Sequence, residues 1–186
     1  SHAIQLHNSY LVAESEEGML IVDQHALHER VLYEDLRHRI RAGALESQRL
    51  LIPDVVEVTE TERAFLEAHR KGLAGLGIEF EWFGARSVGI QAFPSILGDR
   101  ARPERVLRDL LDWAEEYNGE PEVEDVLDQL LHRMACRAAV KAGDVLSQEE
   151  IESLLAKRHL ADRQTATCPH GRPTSLVLTR SEIERQ

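Results

Sequence analysis

The chain has 186 residues, 42% of them hydrophobic, and a formal net charge of −11 at pH 7. That length suits one domain, or one domain with a lobe inserted in it, able to bury roughly 70% of the surface of its unfolded form. Two cysteines exclude a disulfide framework and suit thiol or thiolate ligands in a reducing cytoplasm. No apolar run nears the ~20 residues that cross a bilayer, and no charged-then-apolar leader is seen, so neither a membrane nor secretion is expected.

Residues 4–14 and 19–23 read as two strands around the polar turn Ser15-Glu16-Glu17-Gly18. The second strand runs into a helix over about 25–41, ended by Gly43. Leu32 and Leu36 give this helix an apolar stripe. At about 100° per residue, His25 and Glu29 fall on that side, whereas Glu34 falls about 140° from Glu29 with Arg30 as its natural i,i+4 partner. Gln48-Arg49-Leu50-Leu51-Ile52-Pro53 is an extended stretch closed by proline, followed by a strand over 55–58. Residues 60–75 read as a helix capped by Thr59 or Thr61, and 78–83 and 87–93 as strands joined by Gly84-Ala85-Arg86. Pro94 and Pro103 frame a loop.

An amphipathic helix over 104–117 carries Val106, Leu110, Leu111 and Trp113, and 118–121 read as a linker. The next helix, over about 122–142, holds Val126, Leu127, Leu130, Leu131, Met134 and Ala138. Ser147 and Glu150 make a capping box for a helix through Lys157. Cys168–Pro173 reads as a rigid loop feeding a strand at 175–178, and a helix starts at about 181. The expected fold class is α+β (mixed α/β), without internal repeats.

Three short segments carry the chemistry. They are Asp23-Gln24-His25-Ala26-Leu27-His28-Glu29 with Glu34 beyond, Ala135-Cys136-Arg137, and Cys168-Pro169-His170-Gly171-Arg172-Pro173. Both cysteines of the chain fall inside them. Asp23 closes a strand and His25 opens a helix, and strand ends of α/β sheets are common places for sites. His25 and Glu29, four apart on a helix, share a face and suit a single cation. Cys168 and His170 can reach one ion, or each touch one of two. Cys136 would reach in from a buried helix face. Cys and His favour zinc, Asp and Glu favour magnesium or manganese, and the mixed set suits zinc beside a harder catalytic ion. Each residue alone also has a bland reading: Cys136 as a small core residue, His25 as a polar cap, Cys168-Pro-His as chance. His28 points about 60° away from His25, at the edge of such a site. The other histidines considered, His38, His69, His132 and His159, read as surface or packing residues. All three segments lie outside residues 54–120, so the middle third reads as a lobe inserted in a site-bearing lobe.

The first segment, Asp23-Gln-His-Ala-x-x-Glu29-x-x-x-x-Glu34, resembles the nicking-endonuclease motif of the MutL family of DNA mismatch repair, and Ala135-Cys136-Arg137 and Cys168–Pro173 resemble that endonuclease's other two motifs. The resemblance covers essentially the whole chain, in order, and matches the family's C-terminal domain. It implies a homodimer, with a dimerisation and endonuclease lobe at 1–53 and 121–186 and a regulatory lobe at 54–120. It implies a bacterial cytoplasmic, nucleoid-associated protein that nicks one DNA strand with zinc in a regulatory or structural role and manganese or magnesium in catalysis. Asp23 and Glu29 would be catalytic; Asp23, His25, Glu29, Cys136, Cys168 and His170 would bind metal; Gln24, Glu34, Arg137 and Arg172 would support the motifs. The family's ATPase and main DNA-binding surface lie in an N-terminal domain, which fits a domain whose 33 carboxylates should bind bare DNA poorly. Alone, the C-terminal domain is expected to nick weakly or not at all. The mismatch-recognition protein would act through the full-length chain.

Gln48-x-x-Leu51-x-Pro53 resembles the short peptide by which bacterial DNA-handling proteins dock on the replication sliding clamp, with the glutamine, an aliphatic anchor and a proline-fixed backbone suited to a shallow apolar pocket. On the peptide alone, a loop-to-strand junction is the better reading; within a MutL C-terminal domain, the clamp is. Two further functions stand beside the nuclease. One is a dimerisation and partner-docking scaffold whose zinc is purely structural, although four ligands would then suffice and Asp23 would be surplus. The other is a metal-responsive regulator, for which no Lys- or Arg-rich DNA-reading helix is evident.

Overall fold

The computed structural model describes residues 3–43, 45–117, 119–159 and 175–185. Packing divides the chain into two compact units, Ser1–Glu34 with Ala139–Gln186, and Asp35–Ala138. The fold is α+β: among the described residues there are two small antiparallel sheets and six α-helices. No described helix is long and apolar enough to cross a membrane.

The first unit is built on a four-stranded sheet in the order β1 (Ala3–Leu6), β2 (Tyr10–Ser15), β3 (Gly18–Asp23), β7 (Ser175–Thr179). The expected single strand over 4–14 is broken at His7–Ser9. His7 and Asn8 both adopt positive φ (52° and 49°), which turns the chain tightly enough for β1 to pair antiparallel with β2. Gly18 is needed for a second close approach. Its φ is 148°, and a Cβ there would stand 2.1 Å from the Leu178 carbonyl oxygen of β7.

The side-chain period of two sorts this sheet into faces. Ala3, Leu11, Ala13, Leu20 and Val22 are buried in one core with Leu27 and Val31 of α1 (Gln24–Ala42) and with Leu146, Ile151 and Leu154 in and beside α5 (Gln148–Ala156). On the opposite face Ile4, Val12, Ile21 and Leu176 stand side by side across all four strands, the outer two exposed and the inner two half-buried. After β7, Thr179 caps a short α6 (Arg180–Glu184) with Glu182, one residue earlier than expected.

A buried amide ties the β3–α1 junction to the segment after α4 (Val123–Ala138). Gln24 is 0% exposed. Its Nε2 donates to the carbonyls of Asn8 (2.9 Å), Lys141 (3.0 Å) and Asp144 (3.2 Å), its Oε1 accepts from Gln5 at 2.6 Å, and its backbone N–H donates to Ser9. Gln5 extends the set by donating to the Asp144 carbonyl and accepting from the Leu146 N–H.

The second unit carries β4 (Ser47–Glu57), β6 (Ser87–Pro94) and β5 (Glu79–Trp82) in that sheet order, with α2 (Glu60–Gly75), α3 (Pro103–Glu116) and α4. Thr59, not Thr61, caps α2 through a capping box with Glu62. Glu62 is buried and also accepts from Arg108 of α3, joining the two helices. The loop expected between Pro94 and Pro103 contains a 3-10 helix, Ser95–Arg100.

Two expected boundaries change. The stretch 48–53 and the strand after it are one strand, β4, but pairing slips within it: Arg49 faces Ala92 and Asp54 faces Ile90. Four residues of β4 thus oppose one of β6, and the surplus bulges outward. The expected helix over 122–142 ends at Ala138. The Val140 N–H, which would continue the helix ladder, instead donates to His28.

Gln24→Leu would leave carbonyls of two chain segments and the Gln5 amide without their buried partner. We expect a loss of about 3 kcal/mol of unfolding free energy in urea denaturation; a loss under about 0.5 kcal/mol would mean the amide is replaceable.

Candidate functional site

The N-terminal turn of α1 holds the site. Asp23 ends β3, and its Oδ1 accepts the Ala26 N–H at 3.0 Å, capping the helix. One carboxylate oxygen is thereby fixed in direction. Gln24, next along, is consumed by the buried network. His25 and Glu29 then rise on one face of α1, with His25 Nε2 and Glu29 Oε2 3.7 Å apart.

The imidazole of His25 is oriented by the backbone. Its Nδ1 lies 2.8 Å from the Val140 carbonyl oxygen. A carbonyl can only accept, so Nδ1 carries the hydrogen and Nε2 of the neutral ring carries the lone pair. That lone pair is on the Glu29 side. His28 is set the opposite way, since its Nδ1 accepts the Val140 N–H at 3.1 Å. One residue, Val140, thus fixes the tautomers of two histidines through its two backbone groups. A carbonyl on the far nitrogen is the usual orienter of a metal-binding histidine.

Glu29 is 2% exposed. A buried carboxylate is costly unless a cation or donors face it. The 3.7 Å gap is too long for a hydrogen bond, yet close to the ~3.4 Å between neighbouring ligands of a tetrahedral zinc with bonds of about 2.1 Å. The donor set therefore fits a divalent cation of the zinc type.

The remaining motif residues are distributed as follows. Glu34 pairs with Arg30 at 2.7 Å, and the Arg30 guanidinium lies 5.4 Å from the Tyr33 ring centre. Cys136 is half-buried on α4, in the second compact unit, and stands four residues before Val140 along the chain. Arg137 bonds Asp109 of α3, its Nε at 3.1 Å. Cys168, His170 and Arg172 lie outside the described residues. Gln48, Leu51 and Pro53 are on β4, and the register slip throws the segment out of the sheet: Leu51 is 103% exposed and Ile52 83%.

The sequence reading missed Val140, and it missed Gln5, Lys141 and Asp144 as partners of Gln24. Backbone acceptors leave no residue-type signature. The nearest signal is Lys141-Ala142-Gly143-Asp144, where Gly143 has φ of 101°, Asp144 accepts the Lys141 N–H and the Gly143 N–H reaches Asn8 at 2.7 Å.

Fold and site together describe an α+β domain in two compact units, with an oriented His–Glu pair at a strand-to-helix junction. A family model, the MutL C terminal dimerisation domain, matches residues 3–146. The chain belongs to that family. It is 38% identical over 181 residues to the DNA mismatch repair protein MutL of Bartonella tribocorum, covering 97% of this chain and 29% of that protein. The MutL proteins of Rhodopseudomonas palustris (38%) and Brucella abortus (36%) match over the same share of this chain and 30% and 29% of their own lengths. The chain thus spans less than a third of the relatives it matches.

The tautomers are directly measurable. Long-range ¹H–¹⁵N correlation spectra of the metal-free protein should show His25 protonated at Nδ1 and His28 at Nε2. The same tautomer on both rings would contradict the role given to Val140.

Proposed function

We propose that this chain is the homodimerising, metal-dependent DNA-nicking domain of a mismatch repair MutL protein. The observation that carries the reading is the oriented pair His25–Glu29 on the first turns of α1, the helix that Asp23 caps. Cys136, Cys168 and His170 complete the ligand set, with zinc as the structural or regulatory ion and manganese or magnesium as the catalytic one. Such ions supply Lewis acidity toward a phosphodiester and its leaving oxygen. The chain's own part is positional. His25 presents a lone pair that Val140 has aimed, Glu29 brings a negative charge that water cannot screen, and Asp23 offers the oxygen its helix cap leaves over. Residues 1–53 and 121–186 form the dimerisation and endonuclease lobe, and 54–120 the regulatory lobe.

The family's description as a dimerisation domain and the apolar row Ile4, Val12, Ile21 and Leu176 support a second copy of this chain as the sheet's partner. An isologous contact is the default for such a dimer. The exposed Leu51 and Ile52 support the sliding clamp as the partner of Gln48–Pro53: an apolar pair held out of a sheet by a bulge is ready for a shallow pocket. DNA would be delivered by the clamp and by the rest of the protein, because a domain of net charge −11 repels it.

One observation favours the second reading, a scaffold with a purely structural zinc. The Asp23 carboxylate already serves as a helix cap, a role that needs no ion.

Supercoiled-plasmid nicking by the full-length protein with manganese, with and without the clamp, separates the two. Asp23→Asn and Glu29→Lys should each cut nicking by about a hundredfold or more while dimerisation persists. Gln48→Ala with Leu51→Ala should remove only the stimulation by the clamp, with bound zinc unchanged. Nicking by Asp23→Asn at the wild-type rate would leave the scaffold reading standing and the nuclease reading without support.

A further inference from the structure

Within the second compact unit a cavity of about 470 Å³ opens between α2, α3 and residues 119–121. Its wall is mostly hydrocarbon, from Ala64, Phe65 and Ala68 of α2, Leu111 and Ala114 of α3, and Pro121. Ala64 and Ala68 are exposed and one helical turn apart, and Thr61 precedes them on α2, so the outer wall of the groove carries only small side chains. The inner wall is aromatic. Phe65 lies against His69 with ring centroids 4.6 Å apart, and His69 is 8% exposed. Burial lowers the His69 pKa, so the ring adds neutral surface rather than charge.

The rim has a different character. Glu115 and Glu120 border the cavity and are exposed. They belong to a run containing Asp112, Glu115, Glu116, Glu120, Glu122, Glu124 and Asp125, with no Lys or Arg among residues 112–125. Charge and shape together narrow the occupant. Nucleic acid and acidic segments are repelled by the rim. A small aliphatic group would leave most of the 470 Å³ empty, whereas an aromatic ring occupies more of it beside the small side chains of α2 and gains roughly 150–250 Å² of burial.

We propose that this cavity docks a basic peptide segment of a partner protein, which inserts one large aromatic side chain between α2 and α3 while its Lys or Arg residues lie along the acidic 112–125 run. The groove shares no lining residue with the exposed β4 bulge or with the four-stranded sheet. Affinity comes from the buried ring, and selectivity from the charges around it.

Fluorescence anisotropy on the whole chain tests this, with a short labelled peptide of lysine and alanine around one tryptophan as the probe. Saturable binding is expected, weakened by about tenfold or more when the peptide's tryptophan is replaced by alanine. Ala68→Trp, which fills the groove from an exposed helix position, should weaken it equally, as should Glu115→Lys combined with Glu120→Lys. Ala64→Trp provides a second filling variant, and thermal melts confirm that each variant is folded. The proposal is overturned if folded filling variants bind as the wild type does, if the peptide lacking tryptophan binds equally well, or if no saturable binding occurs.

Discussion

The Gln24 side chain sits among backbone carbonyls of two stretches of chain more than a hundred residues apart, and the rest of the site hangs from that arrangement. An amide with no solvent must find partners for both its ends. Asn8, Lys141, Asp144 and Gln5 supply them. Because Gln24 is the first residue of α1, fixing it fixes where the helix begins. Because its other partners flank Gly143, fixing it also places the segment from Val140 to Leu146. Val140 then meets His25 and His28 with its carbonyl and its N–H. A single glutamine side chain thereby helps set the tautomers of two histidines through Val140, with no hydrogen bond of its own to either ring.

The same contact explains why α4 stops where it does. Apolar periodicity alone carries a helix through to about residue 142, since nothing in Ala138-Ala139-Val140-Lys141-Ala142 breaks a helix. The backbone of Val140 is engaged elsewhere, and the ladder ends. Such long-range capture of backbone groups lies outside any local pattern. It is also why Val140, Lys141 and Asp144 were invisible as site-building residues. By contrast, the His25–Glu29 face, the Arg30–Glu34 pair and the capping box at Ser147 were legible, because each depends on spacings of three or four residues within one helix, while the cap of α2 was left open between Thr59 and Thr61. The β1–β2 turn was missed for a further reason. Asn8 tolerates positive φ better than most residues, but the segment around it is apolar enough to read as continuous strand.

The outward features of the domain form a consistent set. The chain carries a formal net charge of −11, and several of its exposed apolar groups are gathered into defined places. One is the row across the four-stranded sheet, another the bulge of β4, another the alanine-floored groove between α2 and α3. The groove is bounded by α2 and α3, which Glu62 and Arg108 join. His25 and Glu29, by contrast, are held by one helix face and by the backbone of Val140.

The proposed site needs His25 and Glu29 to hold an ion together with cysteine sulfur from elsewhere in the chain. X-ray absorption at the zinc edge, on protein loaded with zinc to one equivalent, tests it most directly. With the proposed ligand set, sulfur scattering is expected at about 2.3 Å together with nitrogen and oxygen at about 2.0–2.2 Å. A shell of oxygen and nitrogen alone, with no sulfur, would contradict it.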